Sequence, residues 1–174
     1  MHDYQSVFES FNQKTVLIIG DVMVDAYLWG KVERISPEAP VPIVSVEKRE
    51  NRLGGAANVA LNIKSLGANP ILCSIIGDDE KGRIFLGLLE QAEMTGMGII
   101  CDKDRKTTTK TRVISGTQHC LRIDEEVTYT VTPEQERSMI HQVDTILNEQ
   151  NVDAIIFEDY DKGVISKQLI SNII

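Results

Sequence analysis

One short stretch of the chain combines glycine, small residues and an amide at the start of a predicted helix. It reads Leu53-Gly54-Gly55-Ala56-Ala57-Asn58-Val59-Ala60. Because glycine lacks a Cβ atom, Gly54 and Gly55 let a ligand approach the backbone, and helix-terminal N–H groups can bind its oxygens. Asn58 adds a donor and an acceptor, as a sugar hydroxyl requires. The stretch predicts either such a site or a tight turn before a well-packed helix.

Two carboxylates follow the first predicted strand. Thr15–Gly20 is a continuous apolar run, which is typical of a strand buried on both faces, and Asp21 and Asp25 come after it. Ligands of α/β sheets bind beyond the carboxyl ends of the strands. We therefore expect Asp25 to accept two hydrogen bonds from a polyol. The alternative is an aspartate that caps the turn.

Three cations are candidates for binding a phosphate. Lys110 and Arg112 alternate to one face of a predicted strand, where a solvated strand face is the other interpretation. Asp159 and Lys162 follow a third buried strand, Asp153–Phe157, and again place a carboxylate and a cation at the carboxyl end of a strand. The sequence thus predicts that the tips of separate strands converge on one ligand.

Strands alternate with helices along most of the chain, which predicts an α/β fold with a mainly parallel sheet. A capping box with proline at the first helical position begins one of the helices at Thr132. The other predicted elements are strands at Pro70–Ile76 and Gly98–Cys101 and helices at Gly55–Leu66, at Arg83–Glu93 and from Val164 onward.

Two β-rich excursions, at about 31–50 and 107–124, interrupt this alternation. Tyr27–Pro42 is predicted to be irregular because of its prolines, and Ile43–Glu47 to be a strand. Threonine-rich alternation predicts a hairpin that turns at Ser115–Thr117. Together the excursions would form a small sheet that acts as a lid over the strand tips. A long surface connection is the alternative for the first excursion.

The composition is that of a globular protein and limits the partners. The 174 residues are 42% hydrophobic and 25% charged, which fits one domain. A net charge of −8 argues against nucleic acid as a partner, and no apolar run is long enough to span a membrane. The three cysteines show neither metal-ligand spacing nor a disulfide framework, so we expect reduced thiols in a cytoplasmic protein.

Several of these motifs resemble a known family. The Gly54–Ala60 stretch, followed by Gly67 and Gly77, resembles the first signature of the ribokinase (pfkB-type) carbohydrate kinases, and Gly20–Asp25 resembles their first strand with its sugar-binding aspartate. Three longer stretches are similar to the heptose 7-phosphate kinases of lipopolysaccharide core synthesis, often the first domain of a bifunctional ADP-heptose synthase. They are Asp25–Gly30, Arg34–Pro42 and Asp159–Gly163.

The resemblance implies a ribokinase-like fold, of which residues 1–174 would form the N-terminal portion of one domain. It implies transfer of the γ-phosphoryl group of ATP to the anomeric hydroxyl of heptose 7-phosphate. The residues expected to bind that substrate are Asp25, Gly54, Gly55, Ala56, Asn58, Lys110, Arg112, Asp159 and Lys162.

The resemblance also places part of the machinery outside this stretch. In the family, the catalytic base lies in a Gly-Ala-Gly-Asp motif, which these residues lack, and no Walker-type phosphate loop occurs. ATP and magnesium are therefore expected in the complete enzyme and not on this chain alone, which we expect to be inactive by itself.

Two other functions remain open at this point: a kinase for another sugar phosphate, and a non-catalytic carbohydrate-binding protein. Binding of candidate sugars to the purified protein would distinguish the kinases. Binding of heptose phosphate without a genetic partner that encodes the missing half would favour the carbohydrate-binding protein. Exposed strand edges in the lid also favour a homodimer through the lid strands.

Overall fold

The computed structural model describes residues 4–174, which fold into two four-stranded sheets and five helices. The strands are β1 (Thr15–Gly20), β2 (Val22–Ile35), β3 (Pro42–Gly55), β4 (Asn69–Gly77), β5 (Gly98–Asp102), β6 (Thr109–Ser115), β7 (Gln118–Glu125) and β8 (Ala154–Glu158). The helices are α1 (Tyr4–Phe11), α2 (Ala56–Ser65), α3 (Glu80–Gln91), α4 (Pro133–Glu149) and α5 (Lys167–Ile173).

The main sheet has the order β5-β4-β1-β8, and every pair in it is parallel, as predicted. Alternate side chains of β1 enter two separate cores. Ile18 packs in a cluster with residues of α2 and α3, whereas Leu17 and Ile19 pack with residues of α4 and α5. All three are fully buried, and each contributes roughly 1.5–3 kcal/mol by leaving water. This burial on both faces explains the continuous apolar run.

Strand β8 is less buried than its sequence predicts. Within residues 4–174 it pairs only with β1, so one edge of the strand carries no partner. Ala154 is exposed and residues 155–158 are half-buried. The apolar run therefore indicated the strand correctly, but the prediction of burial on both faces was wrong for the described part of the chain.

The second sheet, which we call the lid sheet, has the order β3-β2-β6-β7. The two predicted excursions do form a separate small sheet, but the prediction of an irregular Tyr27–Pro42 was wrong. Strand β2 continues to Ile35 and pairs with β3, leaving only residues 36–41 between them. Register shifts at Trp29/Gly30 and at Val32/Arg34 break the two-residue period, which hid the strand from pattern reasoning.

The lid sheet joins the main sheet through very short connections. Asp21 is the only residue between β1 and β2, and β3 ends at Gly55, which is also the N-cap of α2. Helix α2 thus begins one residue later than predicted. These connections place the carboxyl ends of β1 and β3 beside the first turn of α2.

The remaining helices follow their capping signals more closely than their apolar patterns. Thr132 and Gln135 form the predicted capping box of α4, with Pro133 at its first position. Helix α5 begins at Lys167 because the Ser166 side chain caps it, not at Val164 as predicted. No helix within residues 4–174 is long and apolar enough to cross a membrane. All three cysteines are free thiols.

Candidate functional site

Asp21 holds the loop after β8 in place and is not a ligand-facing carboxylate. It is 1% exposed. Its Oδ2 atom accepts hydrogen bonds from the backbone N–H groups of Tyr160 (2.9 Å) and Lys162 (3.1 Å), and Oδ1 accepts one from Val164 (3.0 Å). These three bonds give Asp21 a structural role in the loop after β8. A carboxylate lone pair that accepts a bond from the loop is no longer available to a ligand.

Gly54 and Gly55 allow the chain to pack closely against the start of β2. A Cβ atom on Gly54 would lie 2.5 Å from Asp25 Oδ2, and one on Gly55 would lie 2.3 Å from the carbonyl oxygen of Asp21. Gly55 also has a φ of 60°, which favours glycine. The space above the two glycines, which the sequence predicts to be open to a ligand, is thus filled at both Cβ positions by Asp21 and Asp25.

The start of α2 presents one amide side chain and one open helix end. Ala56 is fully buried, and its N–H donates to the carbonyl oxygen of Asp21 at 2.9 Å. Ala56 therefore serves packing, without a side-chain surface for a ligand. Asn58 is exposed on the first turn, and Gly55 supplies no side-chain cap to the helix. Helix N–H groups without a cap favour an oxygen-rich ligand at this point.

Asp25 pairs with a cation of the neighbouring strand. Its Oδ1 atom accepts a hydrogen bond from Arg112 Nη1, and the two side chains are 21% and 23% exposed. The Arg112 guanidinium also lies 5.3 Å from the ring centre of Tyr27, and Arg52 lies over the same ring at 4.8 Å. These two cation–π contacts with Tyr27 restrict the side chains of Arg52 and Arg112 beside Asp25. Partial burial would lower the pKa of Arg112, but the bond to Asp25 and the nearby negative charges together outweigh it and raise the pKa.

Lys110 and Lys162 meet on a single carboxylate. Glu126 Oε2 lies 2.9 Å from Lys110 Nζ, and Glu126 Oε1 lies 3.3 Å from Lys162 Nζ. Lys110 also pairs with Asp124 at 2.9 Å. Burial would lower the pKa of Lys110, but the bonds to Asp124 and Glu126 outweigh it and raise the pKa. The same bond to Lys110 lowers the pKa of Glu126. Lys110 and Glu126 are therefore both charged at neutral pH.

The Lys162 loop is fixed at its carbonyl as well as at its N–H group. Arg105 Nη2 donates to the carbonyl oxygen of Lys162 at 2.6 Å. Arg105 is 6% exposed, and its Nη1 atom has no hydrogen-bond partner within residues 4–174. Burial lowers the pKa of this guanidinium. Since Asp21 holds the N–H group and Arg105 the carbonyl, the backbone at Lys162 has little freedom to move.

The structure thus brings together most of the predicted site residues. Contacts connect Gly54 to Asp25, Asp25 to Arg112 and, through Glu126, Lys110 to Lys162. Asn58 is placed beside them only by its position three residues after Gly55. Asp159 is exposed, and its Oδ1 accepts the N–H of Asp161 in a local turn. A role of Asp159 in binding stays a prediction.

Sequence reasoning missed Asp124 and Glu126. A hairpin that turns at residues 115–117 pairs Lys110 with Asp124 and Arg112 with Arg122. This register depends on the irregularity between Val113 and Ile114, which the sequence pattern does not reveal. No sequence signal indicates the role of Arg105, which depends on the fold of its loop. Within the described residues, no three His, Cys, Asp or Glu side chains are arranged to hold a metal ion.

The chain is similar to known proteins over almost its whole length. Residues 13–170 match the profile described as pfkB family carbohydrate kinase. The bifunctional protein HldE of Helicobacter acinonychis (strain Sheeba) is 44% identical over 161 residues, covering 92% of this chain and 34% of that protein. HldE of Wolinella succinogenes is 40% identical over 168 residues, covering 97% and 35%. The chain spans about a third of the length of these curated relatives.

Solved structures agree on the fold. The ribokinase of Arabidopsis thaliana, solved with ribose and ATP, superposes with a TM-score of 0.61 at 12% identity, covering 92% of this chain and 50% of that one. The nucleoside kinase of Methanocaldococcus jannaschii gives a TM-score of 0.50 at 17% identity, covering 92% and 57%. The ribokinase-like fold that the sequence motifs imply is confirmed.

Proposed function

This chain belongs to the pfkB family of carbohydrate kinases, and from that membership we propose that it carries the sugar-binding part of a heptose 7-phosphate kinase. The proposed reaction transfers the γ-phosphoryl group of ATP to the anomeric hydroxyl of the heptose. The identity of 40–44% with HldE proteins supports a heptose phosphate over other sugars. The synthesis of ADP-heptose for lipopolysaccharide, in the cytoplasm, belongs to the same proposal.

One observation carries the preference for a phosphorylated sugar. Arg112 bonds to Asp25, and Lys110 stands opposite Asp25 in the pairing of β2 with β6. Lys162, from the loop after β8, shares the carboxylate of Glu126 with Lys110. A neutral sugar needs hydrogen-bonding groups but no cluster of cations, whereas a phosphate is bound best by Arg and Lys. The cations are 15–23% exposed, so a ligand can reach them and still lose much of its water.

The residues of this site would bind and orient the substrate. Asp25 and Asn58 would hold sugar hydroxyls, and the two lysines with Arg112 would hold the phosphate. Phosphoryl transfer depends mainly on positioning and on neutralising charge. In the proposed whole enzyme, bound ATP would supply the phosphoryl group and magnesium would neutralise part of its charge. The catalytic base is not assigned to any residue of this chain.

The proposal is tested by ATP consumption with heptose 7-phosphate, with heptose that lacks the phosphate and with ribose. We expect this chain alone to be inactive and a form that is longer by roughly 150 residues, a typical domain length, to be active with heptose 7-phosphate. Equal rates with the unphosphorylated heptose would contradict a phosphate subsite. Activity of this chain alone would contradict the proposal that it carries only the sugar-binding part of the enzyme.

A further inference from the structure

Glu126 holds an unusual position between the two sheets. Its carboxylate bridges Lys110, which belongs to the lid sheet, and Lys162, which belongs to the loop after β8 of the main sheet. The two lysine side chains are 15% and 16% exposed, and the Glu126 side chain is 23% exposed. One oxygen contacts each lysine. The carboxylate therefore sits as an anion between two cations whose backbones are fixed independently of it.

The charges around this carboxylate are not balanced. Asp124 accepts two hydrogen bonds from the Arg122 guanidinium, so its charge is already compensated when it contacts Lys110. Two lysines then face the single negative charge of Glu126. A phosphate monoester carries about two negative charges at neutral pH and has three acceptor oxygens. It would match the two lysines better than a carboxylate does.

Glu126 is also the member of the cluster that is able to leave. It follows the last residue of β7, Glu125, and precedes α4, so no strand pairing holds it. Its only hydrogen bonds and ion pairs within residues 4–174 are those to the two lysines. Lys162, by contrast, is held through its backbone by Asp21 and Arg105.

We propose that Glu126 occupies the position of the substrate's phosphate and is displaced when a phosphorylated ligand binds. Glu126 then determines specificity. If a monoanion or a neutral sugar replaced the bridging carboxylate, the two lysines would gain no additional negative charge. A dianionic phosphate would supply a second negative charge. This inference rests on the phosphate subsite of the proposed function, but it concerns the anion alone and is testable without any kinase activity.

The test is the binding of inorganic phosphate to the protein and to its Glu126→Gln variant, measured by isothermal titration at low salt. The variant keeps the shape of the side chain and removes its charge. We expect phosphate to bind about fivefold more tightly, which is about 1 kcal/mol, and the preference for phosphate over acetate to fall. Thermal unfolding checks that the variant is folded, as its 23% exposure leads us to expect.

Two variants serve as controls. Asp124→Asn removes a carboxylate that also contacts Lys110 but does not reach Lys162, so we expect less than a twofold change. Adding Lys162→Met to the Glu126→Gln variant should abolish its gain in phosphate affinity. If Glu126→Gln left phosphate affinity unchanged or weakened it, Glu126 would be a structural bridge and the inference would be wrong. If the phosphate gain appeared but no sugar phosphate were ever phosphorylated, the proposed function would fail while the inference stood.

Discussion

The Oδ2 atom of Asp21 lies 3.1 Å from the backbone nitrogen of Lys162, although the two residues are separated by most of the chain. Asp21 follows β1 directly, and Lys162 lies in the loop that follows β8. Because β1 and β8 are neighbours in the main sheet, the two tips meet, and the carboxylate of one holds the backbone of the other. The candidate site depends on this relationship, because Lys162 is one of its cations.

The first prediction concerns Asp21→Asn. An amide has one acceptor oxygen, so at least one of the three backbone N–H groups would lose its partner in a buried position. We expect the free energy of unfolding to fall by about 2–4 kcal/mol. Urea denaturation measures this. Asp144→Asn, on the exposed side of α4, should change stability by less than about 0.5 kcal/mol. Equal effects of the two changes would contradict the role of Asp21.

The second prediction compares three glycines. Gly55→Ala combines a positive φ with a Cβ position 2.3 Å from the carbonyl oxygen of Asp21, so we expect a loss of about 2 kcal/mol or more. Gly54→Ala displaces the Asp25 side chain, so we expect it to lower the affinity for sugar more than it lowers the free energy of unfolding. Gly87 in α3 has nothing within 4 Å of its Cβ position, so Gly87→Ala should stabilise by about 0.5–1 kcal/mol. Thermal unfolding and sugar titration measure the three effects.

The third prediction compares two arginines of the hairpin. Arg112→Met removes the partner of Asp25, and we expect a sugar phosphate to bind at least about tenfold more weakly, as loss of a charge-assisted bond implies. Arg122 pairs across from Arg112, is 57% exposed and, among the residues that the structure describes, bonds only to Asp124. Arg122→Met should therefore change the affinity less than about twofold. The same loss in both variants would indicate that general positive charge, and not the contact with Asp25, matters.

The fourth prediction concerns pH. Burial would raise the pKa of Asp79, but hydrogen bonds from the backbone of Thr107 and Gly82 outweigh it and lower the pKa below its ordinary 3.8. A lowered folded-state pKa means that the stabilisation is complete above the ordinary pKa and is lost as the pH falls through the lowered value. As the N-cap of α3, Asp79 contributes about 1 kcal/mol.

This pH effect is measured as the difference in unfolding free energy between the protein and Asp79→Asn. We expect the full difference at pH 7 and a smaller one as the pH falls below about 4. Asp78→Asn is the matched control, since the neighbouring Asp78 side chain is 68% exposed and lies 3.9 Å from Arg83. A difference at Asp79 that persisted undiminished at low pH would contradict the assignment of its charge.

The fifth prediction concerns self-association. Leu121 and Ile123 alternate along β7, an edge strand of the lid sheet, and are 49% and 46% exposed. We propose that a second copy covers them, since an apolar edge favours strand or face pairing. Leu121→Asp should then convert a dimer to a monomer in sedimentation velocity. Leu66→Asp changes an equally exposed leucine outside the lid, so this variant should still sediment as a dimer. A protein that is monomeric before mutation would refute the dimer.

The sequence patterns predicted the elements that are determined by the chemistry of their own segment. The buried run of β1, the capping box at Thr132 and the hairpin at Ser115–Thr117 all follow from local chemistry, and all are present. The full length of β2 could not be predicted, because its two register shifts depend on the pairing with β3. Burial of β8 was overestimated for the same reason, since it depends on which strands flank it.

The candidate site shows the same division. Residue type and position indicated Asp25, Lys110, Arg112 and Lys162 as members of one site, and the structure brings them together. The separate tasks of Asp21 and Asp25 could not be distinguished, because both are aspartates just after β1. Only the three-dimensional structure reveals that Asp21 accepts backbone N–H groups whereas Asp25 pairs with Arg112 within the lid sheet.

The single-residue passage from β1 to β2 has a mechanical consequence. A tilt of the lid sheet must rotate the backbone at Asp21, whose carbonyl oxygen binds the first N–H of α2 and whose carboxylate binds the Lys162 loop. Lid angle, helix start and cation position are thereby coupled at one pivot. A substitution far out on the lid that changes its tilt is therefore expected to alter ligand affinity without contacting the ligand.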